Sequence, residues 1–240
     1  MKNLLKNINS KKITIGIIGL GYVGLPLLIS FANKKIKLIG FDTDISKIKF
    51  LNSGKSYIDR ISNKSIKEIK NNCLFTNEFS YINDCDVIIV CVPTPLTRRS
   101  YPDLSYIKNT FLQIKKFLKL NQVLILESTS YPGTTEEIFV KKLQSKFQIG
   151  NNFFIGFSSE RINPGQNENK LNKIPKVISG YSKNCLKIIS KIYSIVFNKI
   201  VNAKDLKSAE FSKLLENIYR SVNIGFINEM KIVADNMGLD

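Results

Sequence analysis

The sequence predicts an α/β chain: a doubly wound, mainly parallel sheet, followed by the start of a long helix of a second, helical region. Three observations predict it. Short apolar β-type runs alternate with amphipathic helical segments, the pattern of a parallel sheet covered on both faces. A glycine-rich turn joins the first strand to the first long helix. From about Asp205 the alternation stops and the chain reads as one helix to Met237.

The elements follow in order. "ITIGIIG" is a buried β-type run, and a helix over 22–33 comes after it. "IKLIGFD" is the second strand; "ISKIKFLNSG" is a helix that Gly54 ends. A polar helical stretch then leads to the strand "DVIIVCV", the amphipathic helix "LSYIKNTFLQIKKFL" and the strand "QVLILES". "TTEEIFVKKLQSKF" reads as a helix capped by Thr134 or Thr135. "FFIGFS", "KVISG" and "KIVNA" are further strands, and "KNCLKIISKIYSIVF" is the helix before the last. The expected domains are 1–204, around the sheet, and 205–240, the opening of the helical region.

Composition narrows the classes of function. The chain has 240 residues, 43% of them hydrophobic, enough for a sizeable core. No run is long and apolar enough to span a membrane, and the apolar run from Ile13 is broken by glycines and Pro26 without a cleavage site after it. The expectation is a cytoplasmic protein with no membrane partner. The formal net charge is +17, but the lysines are scattered among Ile and Asn residues and form no arginine cluster. They read as solvated surface, with no nucleic-acid partner. Cys73, Cys85, Cys91 and Cys185 make no CxxC pair, and the chain has no histidine, so no metal site is expected. Cys91, in its apolar strand, reads as a small buried hydrophobe.

"GIIGLGYVGLP" carries G-x-G-x-x-G at Gly19, Gly21 and Gly24, after a strand and before a helix. Gly19 permits the tight turn, Gly21 lets the backbone approach a pyrophosphate, and Gly24 lets helix and strand pack closely. The phosphates would lie on the helix N-terminus, where unpaired N–H groups favour anions. About twenty residues on, Asp42 ends the second strand. A carboxylate there accepts the ribose hydroxyls and repels a 2′-phosphate, so it favours NAD over NADP, and a Rossmann-like domain with NAD as cofactor is expected. Three further polar loops, "CVPTPL", "ESTSYPGTT" and "FSSERINPG", leave the same edge of the sheet, where open α/β sheets bind ligands. Taken singly, Thr94 reads equally well as a rigid turn, Thr129 as a helix-approach hydroxyl, and Glu160 with Arg161 as a surface ion pair. In the last helix Lys213, Asn217 and Arg220 follow at i, i+4 and i+7, one polar stripe on a mostly apolar surface.

"GLGYVGLP", "CVPTPLT…PDLS", "ESTSYPGTTEE", "SERINPG" and "AEFSKLLEN…NEM" occur in the order and spacing of the UDP-glucose/UDP-N-acetylglucosamine 6-dehydrogenase family. The chain resembles that family from about Ile13 onward, and most of all its bacterial UDP-N-acetyl-D-glucosamine branch. The resemblance implies oxidation of a sugar's primary alcohol to a carboxylate in two hydride transfers to NAD, through a cysteine thioester that water hydrolyses. It implies cofactor contacts at Gly19, Leu20, Gly21, Tyr22, Val23, Gly24, Asp42, Lys47, Val92, Pro93, Thr94, Ser128 and Thr129. It gives catalytic roles to Thr129 and Glu160 (the hydrolytic water), Lys213 (the oxyanions) and Asn217. It adds Arg161, Ile162, Asn163 and Arg220 to Glu160, Lys213 and Asn217 around a UDP-sugar substrate. A homodimer through the central helix is implied as well.

The sequence departs from the family in two ways. Ser159 stands where the family usually has proline. The nucleophile's G-G-x-C segment and the UDP-binding domain lie beyond Asp240 in the family, and none of the four cysteines here stands in such a segment. The expectation is an N-terminal part that binds NAD and does not complete the oxidation alone. The readings held beside this one are a non-catalytic NAD-binding module that works with a second polypeptide, and UDP-glucose or UDP-N-acetylmannosamine as the substrate.

Overall fold

The computed structural model describes residues 1–99, 101–159 and 174–239. In chain order the elements are α1 (Lys2–Asn9), β1 (Thr14–Ile18), α2 (Gly24–Ala32), β2 (Lys37–Phe41), α3 (Ile45–Asn52), α4 (Asn63–Ile69) and β3 (Cys73–Thr76). Then come β4 (Val87–Val90), α5 (Ser105–Lys115), β5 (Val123–Leu126), a wide π-type turn (Glu136–Val140) running into α6 (Lys141–Leu143), and β6 (Phe154–Ser158). The chain continues with β7 (Lys176–Gly180), α7 (Lys183–Tyr193), β8 (Ile200–Asn202) and α8 (Leu206–Asn236).

The strands form one eight-stranded sheet in the order β3-β2-β1-β4-β5-β6-β7-β8. All pairs are parallel except β6 with β7. β4 and β5 are apolar at every position and buried along their whole length, because helices cover both faces. Alternate residues feed two cores. Val87 and Ile89 join Phe31 of α2 and Tyr193 of α7 on one face. Ile88 and Val90 join Phe111 of α5, Phe139 and Leu206 on the other. The chain leaves β1 toward β2 and β3, then crosses back to β4 on its other side. That reversal opens a crevice beyond the carboxyl ends of β1 and β4, the place where such sheets take ligands.

Several expectations need correction. The stretch between α3 and β4 is not all helical: it holds the edge strand β3. Only four residues long and bounded by polar neighbours, β3 is too short to show a period. α1 was not expected; its Leu4 and Ile8 are buried in the core beside residues of α7. α2 starts at Gly24, later than expected, because the glycine turn takes up the residues before it. Thr135 stands at the N-cap of the π-type turn after β5, but neither threonine side chain makes a capping bond: the Thr134 hydroxyl donates to Tyr131 O at 2.7 Å, and the Thr135 N–H and hydroxyl donate to Glu210. α8 runs as one helix, N-capped by Asp205, whose carboxylate accepts from Ser208 N at 2.7 Å. Yet only Leu206, Ala209 and Glu210 of α8 are buried, so its long apolar surface does not pack on this sheet.

Candidate functional site: a dinucleotide cleft at the sheet's switch point

The turn from β1 into α2 is shaped by its glycines. Gly19 has φ +91°, and a Cβ there would lie 2.7 Å from Cys91 O. At Gly24 a Cβ would meet Gly19 O at 1.9 Å, so only glycine lets the helix lean this close to the strand. Gly21 faces open space, free for a ligand to approach its backbone. Leu25 N–H bonds back to Gly21 O at 3.1 Å. The N–H groups before it, at a helix start, have no carbonyl one turn back, and an anion is their natural partner.

Asp42, just after β2, is buried and held from three sides. Its Oδ2 accepts from Leu20 N at 2.9 Å and from Lys47 Nζ at 3.4 Å; its Oδ1 accepts from Asp44 N at 3.0 Å. The side chain of Leu20 is buried in the core, so only its backbone belongs to the turn. Tyr57 OH donates to Leu20 O, and Arg60 Nη2 donates to Tyr22 O at 2.6 Å. Burial raises the Tyr57 hydroxyl's pKa above its ordinary value, and the negative charges of Asp42 and Asp44 raise it further, so Tyr57 remains a donor.

Beyond this turn lies a cleft of about 1040 Å³. Gly19, Gly21, Tyr22, Val23, Asp42 and Lys47 line one part, and Val92, Pro93, Thr94, Ser128 and Thr129 line another. Ser128 Oγ donates to Val92 O at 2.7 Å, tying the loop after β5 to the loop after β4. Lys213 of α8 lines the same cleft.

Two buried carboxylates support these loops. Glu127, next to Ser128, pairs with Lys176 Nζ, and both side chains are buried. Because β7 runs antiparallel to β6, its first residue Lys176 lies on the edge where the parallel strands end. Lys176 also stands over the rings of Tyr193 and Phe197, 5.3 and 5.2 Å from their centroids. Cys91 follows β4 rather than lying within it; it is buried in the core, as expected, and it also lines the cleft, with its Sγ 3.5 Å from Glu127 Oε2. Glu210 of α8 accepts from Gly133 N at 2.5 Å, Thr135 N at 2.9 Å and Thr135 Oγ1 at 2.6 Å. It fastens α8 to the loop that follows Thr129.

Of the expected site residues, twelve line the cleft: Gly19, Gly21, Tyr22, Val23, Asp42, Lys47, Val92, Pro93, Thr94, Ser128, Thr129 and Lys213. Leu20 and Gly24 shape the turn from beneath. Asn217 and Arg220 do not line the cleft; Arg220 Nη2 donates to Asn217 Oδ1 at 3.5 Å farther along α8. Glu160, Arg161, Ile162 and Asn163 lie outside the described residues. The sequence reading missed Tyr106, Asn109, Thr110 and Gln113, which line the cleft from α5. Their i, i+3, i+4, i+7 spacing was a usable signal. It also missed Thr43, Asp44, Arg60, Phe79 and Glu127, for which no local pattern exists.

The chain matches two family models. Residues 13–197 match the NAD-binding domain of the UDP-glucose/GDP-mannose dehydrogenase family, and residues 207–240 match that family's central domain. It is 39% identical over 230 residues to Protein CapL of Staphylococcus aureus, covering 94% of this chain and 53% of that one. It is 36% identical over 233 residues to a UDP-N-acetyl-D-glucosamine 6-dehydrogenase of Pseudomonas aeruginosa, covering 96% and 55%. A solved structure of a UDP-D-ManNAc dehydrogenase from Pyrococcus horikoshii superimposes with a TM-score of 0.88 at 30% identity, over 95% of this chain and 55% of that one. The chain thus spans about half the length of the curated relatives it matches. With an NAD-binding turn at the sheet's switch point and α8 fastened beside it, this chain belongs to the UDP-glucose/GDP-mannose dehydrogenase family.

Proposed function

We propose that this chain is the NAD-binding part of an enzyme that oxidises the primary alcohol of a UDP-sugar, UDP-N-acetyl-D-glucosamine in the first place, to the uronate. The observation that carries the reading is Lys213: a cation from α8 lines the same cleft as the dinucleotide turn. The cleft residues fit NAD. Gly21 is open, Asp42 is oriented for ribose hydroxyls, and its negative charge opposes a 2′-phosphate. NAD, when bound, accepts the hydride in each of the two oxidation steps.

The chain's own residues do the rest. The turn's N–H groups hold the pyrophosphate, and Lys47 stands beside Asp42 at the adenosine end. Val92, Pro93, Thr94 and Ser128 bound the nicotinamide end. Lys213 stabilises the negative charge that develops on the sugar oxygen, an interaction worth far more in a closed cleft than in water. Thr129 and Glu160 hold the water that cleaves the thioester, with Glu160 as its base. Asn217, Arg161, Ile162, Asn163 and Arg220 contact the sugar nucleotide. The thioester forms on a cysteine supplied outside these residues. The exposed apolar surface of α8 meets a second copy of the protein.

The test offers UDP-N-acetyl-D-glucosamine, UDP-N-acetyl-D-mannosamine, UDP-glucose and GDP-mannose to the protein that carries this chain together with the rest of the family's length. The highest kcat/KM is expected with UDP-N-acetyl-D-glucosamine, with the uronate as product. Preference for GDP-mannose, or no NADH with any UDP-sugar, contradicts the proposal. Residues 1–240 alone are expected to bind NAD without turning it over, and conversion of UDP-N-acetyl-D-glucosamine by them would sink that part.

A further inference from the structure

The loop between α3 and α4 places two donors against the back of the dinucleotide turn. Tyr57 OH donates to the carbonyl of Leu20, and Arg60 Nη2 donates to the carbonyl of Tyr22 at 2.6 Å. A trans peptide group is planar, with its N–H opposite its C=O. A donor on the Leu20 carbonyl therefore leaves the N–H of Gly21 directed the other way, and one on the Tyr22 carbonyl does the same for the N–H of Val23. Gly21, Tyr22, Val23 and Arg60 all line the cleft. A hydrogen bond accepted by a carbonyl polarises its peptide group and strengthens the N–H on the far side. The bond from Arg60 is charge-assisted and so polarises more.

Arg60 is also placed to act directly. Its guanidinium lies over the Tyr22 ring, 5.5 Å from the centroid. Its Nε is buried and has no hydrogen-bond partner among the described residues. A buried guanidinium N–H needs an acceptor, and the planar guanidinium fork suits phosphate oxygens.

We propose that residues 57–60 are a second half of the cofactor site, in which Arg60 binds the NAD pyrophosphate by its charge while Tyr57 and Arg60 polarise the two peptide groups that face it. The inference rests on NAD binding alone and not on the identity of the sugar, so a failed sugar-oxidation test leaves it standing. No charge from this loop was legible as cofactor-binding in the sequence, because Arg60 lies 38 residues from the carbonyl it holds.

The test is calorimetric titration of the chain with NAD, ADP and adenosine, for the wild type, Arg60→Met, Arg60→Lys and Tyr57→Phe, with the thermal midpoint of each apo protein measured alongside. Losing a charge-assisted hydrogen bond predicts that Arg60→Met weakens NAD and ADP by about tenfold to a hundredfold and leaves adenosine unchanged. Arg60→Lys recovers part of the loss, since it keeps the charge and loses the fork. The salt dependence of ADP binding becomes flatter in Arg60→Met. Unchanged ADP affinity in Arg60→Met, or equal weakening of ADP and adenosine, overturns the proposal. If Arg60→Met does not fold, Tyr57→Phe carries the test: weaker ADP with unchanged adenosine is expected, and unchanged ADP overturns it.

Discussion

Glu210 receives three hydrogen bonds, yet its carboxyl is raised above the ordinary carboxylate range, because burial outweighs the bonds from Thr135 and Gly133 that lower it. The sign follows from linkage. A raised folded-state pKa favours the neutral acid, so the stability it contributes is complete below the ordinary carboxylate range and is lost as pH rises through the raised value. Glu210→Gln removes that titration. Denaturant unfolding of the two proteins from the carboxylate range up to neutral pH should show wild-type stability falling relative to the variant; parallel curves would refute it. The residue scale was partly legible. Gly19, Gly21, Gly24 and Asp42 declare themselves by spacing, because backbone geometry demands them. Glu210 and Arg60 do not, because their partners lie far away in sequence.

At the scale of elements, the reversed strand β7 matters most. Its direction brings Lys176 to the edge where Glu127 follows β5, so an ion pair is buried next to the loop that carries Ser128 and Thr129. Removing one partner of such a pair strands a charge, at a cost of about 3–5 kcal/mol. Lys176→Met should therefore lower the unfolding free energy by roughly that much. The double variant Glu127→Gln with Lys176→Met should recover most of it, and a double variant no more stable than the single one would show that the pair is not the cause. β1, β2, β4, β5 and β6 were legible as apolar runs, since strands buried on both faces leave few polar positions, none at all in β4 and β5. β3 and α1 were not: four residues show no period, and the apolar face of α1 rests on two side chains. The direction of β7 was equally hidden, because an apolar run reads the same either way.

For the whole molecule, α8 decides how the cleft relates to what surrounds it. Its first turns are fastened to the sheet by Leu206, Ala209 and Glu210, which puts Lys213 into the cleft. Beyond them Leu215, Tyr219, Val222, Phe226, Ile227 and Met230 are exposed. The homodimer proposed above would use this apolar face. Sedimentation should show residues 1–240 self-associating as concentration rises, and Val222→Lys with Phe226→Lys should abolish this without weakening NAD. A wild-type chain that stays monomeric throughout would contradict it. The stripe of Lys213, Asn217 and Arg220 was legible as helical spacing, but spacing alone does not say how far the cleft reaches along it. The most direct test is the number of NADH formed per UDP-N-acetyl-D-glucosamine consumed by the protein that carries this chain with the rest of its family's length. Oxidation from alcohol to carboxylate predicts two. One NADH per sugar, or none, would contradict the assignment of this cleft to a UDP-sugar dehydrogenase.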